Sequence, residues 1–338
     1  MVINKFINVD GTMALTMYKG MKYFKRYNDP QKNEGNDISL KIRLTNRCNY
    51  KCHYCAYRNN SEEFLKWNQL EKILTFIESL TKDYFYIYLH GGEPTIHPDF
   101  IKFVHSIDSI LTTKNVEYFI YFDTNFTMKF EDFQTLLTGI NISKFKINCT
   151  YHVDQCLDYE KFLDKYLKLT EYKIQTQLNI MFQYKYFDRL KNMFDTLTEL
   201  KYINVVPKPI SYNNEESKYS IEQKQFFYDN DPRIFYYIDY KNCEHTFNIN
   251  QMELNNYNNF SLLKCEYGEK NIVIDVSGDM FYCVSHQLGR TKKNIENIPI
   301  SMNIFNDPIE NYYNASKPKI CLYNTCSACD LRILKRGL

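Results

Sequence analysis

The stretch Ile38-Ser-Leu-Lys-Ile-Arg-Leu-Thr-Asn-Arg-Cys48-Asn-Tyr-Lys-Cys52-His-Tyr-Cys55 decides how the rest of the chain is read. Leu40 to Leu44 reads as a short apolar strand, and three thiols follow it within eight residues. A loop of that kind can wrap one metal centre. Three thiolates bind three irons of a cubane cluster and leave the fourth iron open to a substrate or cofactor. The alternative is zinc, which takes four closed ligands at tetrahedral spacing; His53 sits too close to its neighbours to complete such a set, so a distant ligand would be needed.

Outward from that strand, β-branched apolar runs alternate with helical patterns, as in βα units around a parallel sheet. The strand candidates are Leu40 to Leu44, Phe85 to Leu89, Val116 to Phe122, Lys144 to Cys149, Ile174 to Phe182 and Tyr202 to Val206. Helical patterns fall between them, such as Glu63 to Leu80, with Leu65, Leu70, Ile73, Leu74, Ile77 and Leu80 on one stripe, and Lys161 to Leu169. The expected fold is α/β, a partial (β/α)6 TIM-like barrel. Strand ends then gather on one face, where βα barrels build their active sites. That face receives Leu89-His90-Gly91-Gly92-Glu93-Pro94, Asp123-Thr124-Asn125, Thr150-Tyr151-His152, Gln183 and Lys208. Paired glycines let a backbone approach a ligand closely. His152 and Asp123 are the candidates for catalytic side chains.

The 338 residues carry 42 Lys and Arg against 40 Asp and Glu, so the net field attracts no polyanion and nucleic acid is not favoured as a partner. No stretch approaches the ~20 apolar residues of a membrane span, and the chain reads as cytoplasmic. Its 11 cysteines cluster as metal ligands in a reducing compartment do. Besides Cys48, Cys52 and Cys55, a second group comprises Cys265, Cys283, Cys321, Cys326 and Cys329, with Cys149, Cys156 and Cys243 scattered between. Two short strands, Asn271 to Val276 and Met280 to Val284, flank Ser277-Gly278-Asp279 as a hairpin. The divisions expected are an N-terminal extension (1–37), the barrel (38–212), a bridging segment (213–262) and a small cysteine-rich α+β domain (263–338). Within the extension, Tyr18 to Tyr27 reads as a helix or strand on the domain edge.

The C-x3-C-x2-C spacing, Tyr54 before the third cysteine and Gly91-Gly92-Glu93 one βα unit later together closely resemble the radical S-adenosylmethionine (SAM) superfamily. The resemblance implies a [4Fe-4S] cluster on Cys48, Cys52 and Cys55, with SAM at its open iron. It assigns cofactor contacts to Tyr54, Gly91, Gly92 and Glu93, to Thr124 and Asn125, which match a Thr-Asn pair common after the third strand, and to Thr150. The late cysteines are similar to the SPASM and twitch extensions of that superfamily. Five cysteines in place of the seven of a full SPASM domain suit a twitch-like second, auxiliary [4Fe-4S] cluster on Cys265, Cys283, Cys326 and Cys329, with Cys321 an additional candidate. Structural zinc would also satisfy four of them.

By the same resemblance the chain cleaves SAM reductively to a 5′-deoxyadenosyl radical that abstracts hydrogen from a substrate, for oxidation or bond formation. Flavodoxin or ferredoxin would donate the electron. Residues 1–36 are short for a peptide-recognition domain, which turns the reading toward a small, sugar-like metabolite or a separately delivered peptide. Maturation of a ribosomal peptide or a protein side chain is the alternative, and a non-catalytic metal-binding protein of the same fold is a further one.

Overall fold

The computed structural model describes residues 21–26, 36–55, 64–156, 158–200, 203–210, 218–232, 234–239, 244–254, 264–265, 271–282, 302–314 and 334–335. Six strands run parallel through its centre: β2 (Asp37–Thr45), β3 (Tyr84–Gly91), β4 (Glu117–Thr124), β5 (Phe145–His152), β6 (Gln175–Phe182) and β7 (Val205–Pro209). Between them lie helices α1 (Trp67–Ser79), α2 (Phe100–Thr113), α3 (Phe130–Leu137), α4 (Tyr159–Thr170) and α5 (Phe187–Glu199). This is the expected α/β partial barrel. The last strand lies further along than Tyr202 to Val206 and contains Pro207 and Pro209. β7 ends the sheet, and an edge strand tolerates residues that cannot donate to a ladder.

The alternation along each strand sorts side chains to two unlike faces. Leu40 and Ile42 of β2, Ile87 and Leu89 of β3, Ile120 and Phe122 of β4 and Ile147 of β5 are wholly buried in one core with the helices. From the helices come Leu70, Ile73 and Ile77 of α1, Phe103 and Ile107 of α2 and Phe133 and Leu136 of α3. The other face lines the lumen, and its side chains are polar or aromatic: Lys41, Tyr88, Tyr121, Lys146, Asn148, Gln177 and Asn179. Tyr88 and Tyr121, on adjacent strands, stack with ring centroids 4.3 Å apart and planes 5° from parallel. Tyr86, Tyr88 and Tyr121 keep partial solvent access although they lie inside the barrel wall.

The hairpin β11 (Asn271–Ile274) and β12 (Asp279–Phe281) belongs to this same sheet. β11 pairs in parallel with β2, Asn271 opposite Ser39 and Ile274 opposite Ile42, and β12 pairs with β13 (Met302–Asn303). The nine-stranded order is β13-β12-β11-β2-β3-β4-β5-β6-β7. At the hairpin turn Gly278 has φ +85°, and a β-carbon there would stand 2.3 Å from the Phe305 ring.

A second, five-stranded sheet has the order β10-β14-β1-β8-β9, from β1 (Met21–Arg26), β8 (Ile234–Asp239), β9 (Glu244–Asn248), β10 (Lys264–Cys265) and β14 (Leu334–Lys335). Tyr18 to Tyr27 therefore contains a strand. Two shorter helices, α6 (Ile221–Asn230) and α7 (Ile249–Leu254), lead into and out of β8 and β9, and α8 (Glu310–Asn314) follows β13.

If the helix-facing side of the strands is the core, Ile120→Ala should lower the stability of the folded chain by about 2–5 kcal/mol. Urea unfolding measures this, and a loss below about 1 kcal/mol would show that the core lies elsewhere.

Candidate functional site

The cysteine loop leaves β2 and is fixed first by the glycines after β3. A β-carbon on Gly91 would lie 2.4 Å from the Thr45 carbonyl oxygen, and one on Gly92 would lie 2.1 Å from that of Arg47. The Gly92 and Glu93 amides donate to those same two carbonyls, each at 2.9 Å. The close approach these glycines permit is thus to the backbone that leads into Cys48.

Glu93 turns inward and is almost wholly buried. Its Oε1 accepts from the Thr95 amide (3.1 Å), the Thr95 hydroxyl (2.6 Å) and the Thr124 hydroxyl (2.8 Å), and its Oε2 accepts from the Asn125 amide (2.6 Å). Burial pushes its pKa up and these bonds pull it back. The side chains of Glu93 and Thr124, both expected to touch cofactor, are engaged with each other. Asn125 donates from Nδ2 to Asn49 Oδ1 at 2.7 Å, close beside Cys48, and Asn49 donates to Thr127 Oγ1 at 2.8 Å. Between them Phe126 holds φ +63°, a left-handed backbone that costs a bulky residue energy. Lys165 of α4 supports it, donating to the carbonyls of Phe126 and Met128 with its ammonium 4.3 Å from the Phe126 ring centroid.

The turn after β5 grips the other flank. Lys51 donates its amide to Gln155 Oε1 at 3.0 Å, and His53 approaches Asp154 at 3.6 Å. His152 Nδ1 lies 2.7 Å from the Tyr54 hydroxyl and 3.5 Å from Cys52 Sγ, with the imidazole stacked on the Tyr54 ring. Burial lowers the His152 pKa to about 4, so the ring is neutral at pH 7. His152, a catalytic candidate on sequence, stands against a metal-ligand candidate.

Burial also raises the Cys48 thiol to about 11 and the Cys52 thiol to about 12. Thiolates therefore form here only against a compensating positive charge, as a bound metal provides. Among the described residues no three His, Cys, Asp or Glu side chains converge as a single ion requires. The charges of Cys48, Cys52 and Cys55 nevertheless influence one another. Three thiols on one loop are the donor set that a polynuclear cluster with one thiolate per iron takes.

Asp123, the other catalytic candidate, faces the lumen, where it accepts from the Tyr88 hydroxyl and from Asn148 Nδ2. Thr150 lies on the same face, paired in register with Asn179. Gln183, just beyond β6, is 2% exposed, and neither atom of its amide head has a protein partner. Such a group is costly unless water or a ligand completes it. Sequence reasoning reached Gln183 only as a polar strand end. It did not find Asn49, Gln155 or Lys165, whose roles come from long-range contacts that leave no mark in spacing. Cys265 lies on β10 opposite Leu334, while Cys283, Cys321, Cys326 and Cys329 lie outside the described residues.

Residues 42–197 match the model of the radical SAM superfamily. Among curated proteins, GTP 3′,8-cyclase of Microcystis aeruginosa is 30% identical over 82 residues, 23% of this chain and 25% of that protein. The enzyme of the same name from Cyanothece is 33% identical over 76 residues, 21% of this chain and 23% of its own length. The chain thus spans about a quarter of the length of these relatives. The solved structure of anSMEcpe with bound AdoMet superposes with a TM-score of 0.56 at 15% identity, covering 82% of this chain and 80% of that one. At that identity the likeness shows a shared fold.

Gly92→Ala should displace the cysteine loop and abolish iron binding after anaerobic reconstitution, because the added carbon meets a carbonyl that has no room to retreat. Glu93→Ala, which strands four buried donor groups, should destabilise the chain by at least about 3 kcal/mol. Iron analysis and thermal unfolding read the two effects separately.

Proposed function

We propose, for a chain whose residues 42–197 match the radical SAM superfamily model, that Cys48, Cys52 and Cys55 hold a [4Fe-4S] cluster with one open iron. SAM binds there, and the enzyme removes a hydrogen atom from a small polar metabolite seated in the barrel lumen. The observation that carries this reading is the cysteine loop clamped between the ends of β3, β4 and β5, at the mouth of a lumen lined by hydrogen-bonding side chains. Cluster and SAM, when bound, supply a one-electron cleavage that yields a 5′-deoxyadenosyl radical.

The chain's own residues bind, orient and exclude. Tyr54, Gly91 to Glu93 and Asn125 lie beside the thiols and Thr150 on the lumen face, with the motif's backbone groups serving the cofactor while the Glu93 carboxylate holds the scaffold. Asp123, fixed by Tyr88 and Asn148, presents an acceptor to the substrate. Met181 and Ile210 pack against Cys52 and Tyr54 and keep water from that side.

The late cysteines belong to the same proposal, with Cys265, Cys283, Cys326 and Cys329 on a second [4Fe-4S] cluster, while β11 to β13 of the same stretch join the sheet of the barrel. In its support, β10 pairs Cys265 with Leu334, which follows Cys329 by five residues. Among the described residues no helix is long and apolar enough to cross a membrane. A cytoplasmic setting, with flavodoxin or ferredoxin as electron donor, suits the reading.

A peptide substrate is the second reading. It draws on the structure of anSMEcpe with bound AdoMet and Cp18Cys peptide, which shares the fold with a TM-score of 0.54 at 14% identity. The polar lumen favours the metabolite.

The reduced, reconstituted protein should release 5′-deoxyadenosine from SAM, and Cys48→Ala, Cys52→Ala or Cys55→Ala should each reduce release to background. A fully clustered wild type that releases none would point to a non-catalytic metal-binding protein. Iron should reach about eight per chain, and about four would remove the auxiliary cluster.

A further inference from the structure

We infer that Lys165 is a positioning residue for SAM: from α4 it holds the left-handed turn at Phe126 that sets Asn125 against Cys48, an inference that rests on the cluster and cofactor reading above. The turn follows β4 and the lysine comes from the helix after β5, so two βα units meet in one contact. Lys165 Nζ donates to the Met128 carbonyl at 3.0 Å and to the Phe126 carbonyl, with the ammonium 4.3 Å from the Phe126 ring centroid.

Phe126 meets two demands that pull against each other. Its ring is buried, edge-on to Phe162 of α4 and tilted against Phe133 of α3, with centroids 5.5 and 5.0 Å away. A glycine would adopt φ +63° freely but would leave a hole in that core. The left-handed backbone therefore falls on a residue that resists it. On the near side of the bend the Asn125 amide donates to Glu93 Oε2 at 2.6 Å and its Nδ2 to Asn49 Oδ1 at 2.7 Å, with Nδ2 3.9 Å from Cys48 Sγ. On the far side the Thr127 hydroxyl donates to Asn125 Oδ1 at 2.7 Å and accepts from Asn49 Nδ2 at 2.8 Å. The bend thus aims one asparagine at the root of the thiol loop.

What these contacts leave to Lys165 is the pair of carbonyls at the bend itself. Two carbonyl oxygens turned toward one point repel each other, and an ammonium that bonds both fixes their directions with charge-assisted hydrogen bonds. The other lysines of this helix are spent differently. Lys161 and Lys168 pair with Asp158 and Asp164 on the exposed side, at 3.0 and 2.8 Å, whereas Lys165 is half-buried between Phe162 and Tyr166, which both pack on the Phe126 ring. Because Lys165 acts on the backbone of the turn, its loss should appear in how tightly SAM is held rather than in turnover.

The SAM dependence of 5′-deoxyadenosine release by the full-length reconstituted protein tests this. Lys165→Met keeps the aliphatic stem and deletes the donor; at wild-type iron per chain it should raise KM for SAM roughly tenfold and move kcat by less than about twofold. Lys165→Arg, whose guanidinium can donate to both carbonyls, should recover most of the affinity, and Lys168→Met, on the exposed face of the same helix, should leave KM where it was. Thr127→Val reaches the turn without touching the helix and should raise KM in the same direction, which decides the matter if Lys165→Met does not fold. A lowered unfolding temperature with KM unmoved, in Lys165→Met or in its stead Thr127→Val, makes these contacts a structural prop alone and overturns the inference. So does a Lys165→Arg variant that folds and binds SAM no better than Lys165→Met. A wild type that carries its cluster and releases no 5′-deoxyadenosine removes the parent reading and the inference with it, an outcome seen before any variant is made.

Discussion

Two backbone hydrogen bonds, from the amides of Gly92 and Glu93 to the carbonyls of Thr45 and Arg47, determine where the three thiols stand. They join the end of β3 to the start of the cysteine loop at a distance no side chain would allow. That contact converts an eight-residue loop into an extension of the sheet. The remaining attachments, Asn49 to Asn125 on one flank and Lys51 to Gln155 on the other, build on a loop already positioned. Preorganisation of this sort is what a site must have if a reactive intermediate is to meet only its intended target.

The motif side chains illustrate a division of labour. Glu93 sits among residues expected to touch cofactor, yet its carboxylate is enclosed by donors from Thr95, Thr124 and Asn125. Losing any one of them leaves a buried polar group unmet, and such penalties are larger than the net gain from making the bond. The strained backbone at Phe126 persists because Lys165 and the Asn125 to Thr127 contacts over-determine it.

Much of this was legible in the sequence. Six strands were located because Leu40 to Leu44, Phe85 to Leu89 and their successors are apolar runs between helical patterns, a signal that is local. The thiols and Gly91-Gly92 were legible for the same reason. The polarity of the lumen was not, since a period of two says that Ile120 and Tyr121 face opposite ways without saying which way the core lies. The placement of Asn271 to Ile274 beside β2 escaped too. The hairpin was visible in its turn residues, but strand pairing across more than two hundred residues has no local signature. At the end of a strand, His152 reads from the sequence as a catalytic candidate. Its contacts with Tyr54 and Cys52 bring together positions 98 and 100 residues apart.

The same pairing of β11 with β2 bears on how the protein comes to exist. As the chain leaves the ribosome, β2 can find β3 at once, but its other edge stays open until residues 271–274 have been made. For most of synthesis the strand that carries the cysteine loop is a bare border of unpaired amides and carbonyls, the kind of surface that recruits wrong partners. Closure must await a contact of very long sequence separation, and such contacts are slow to form. Until that contact forms, β2 and the loop that follows it belong to an unfinished sheet.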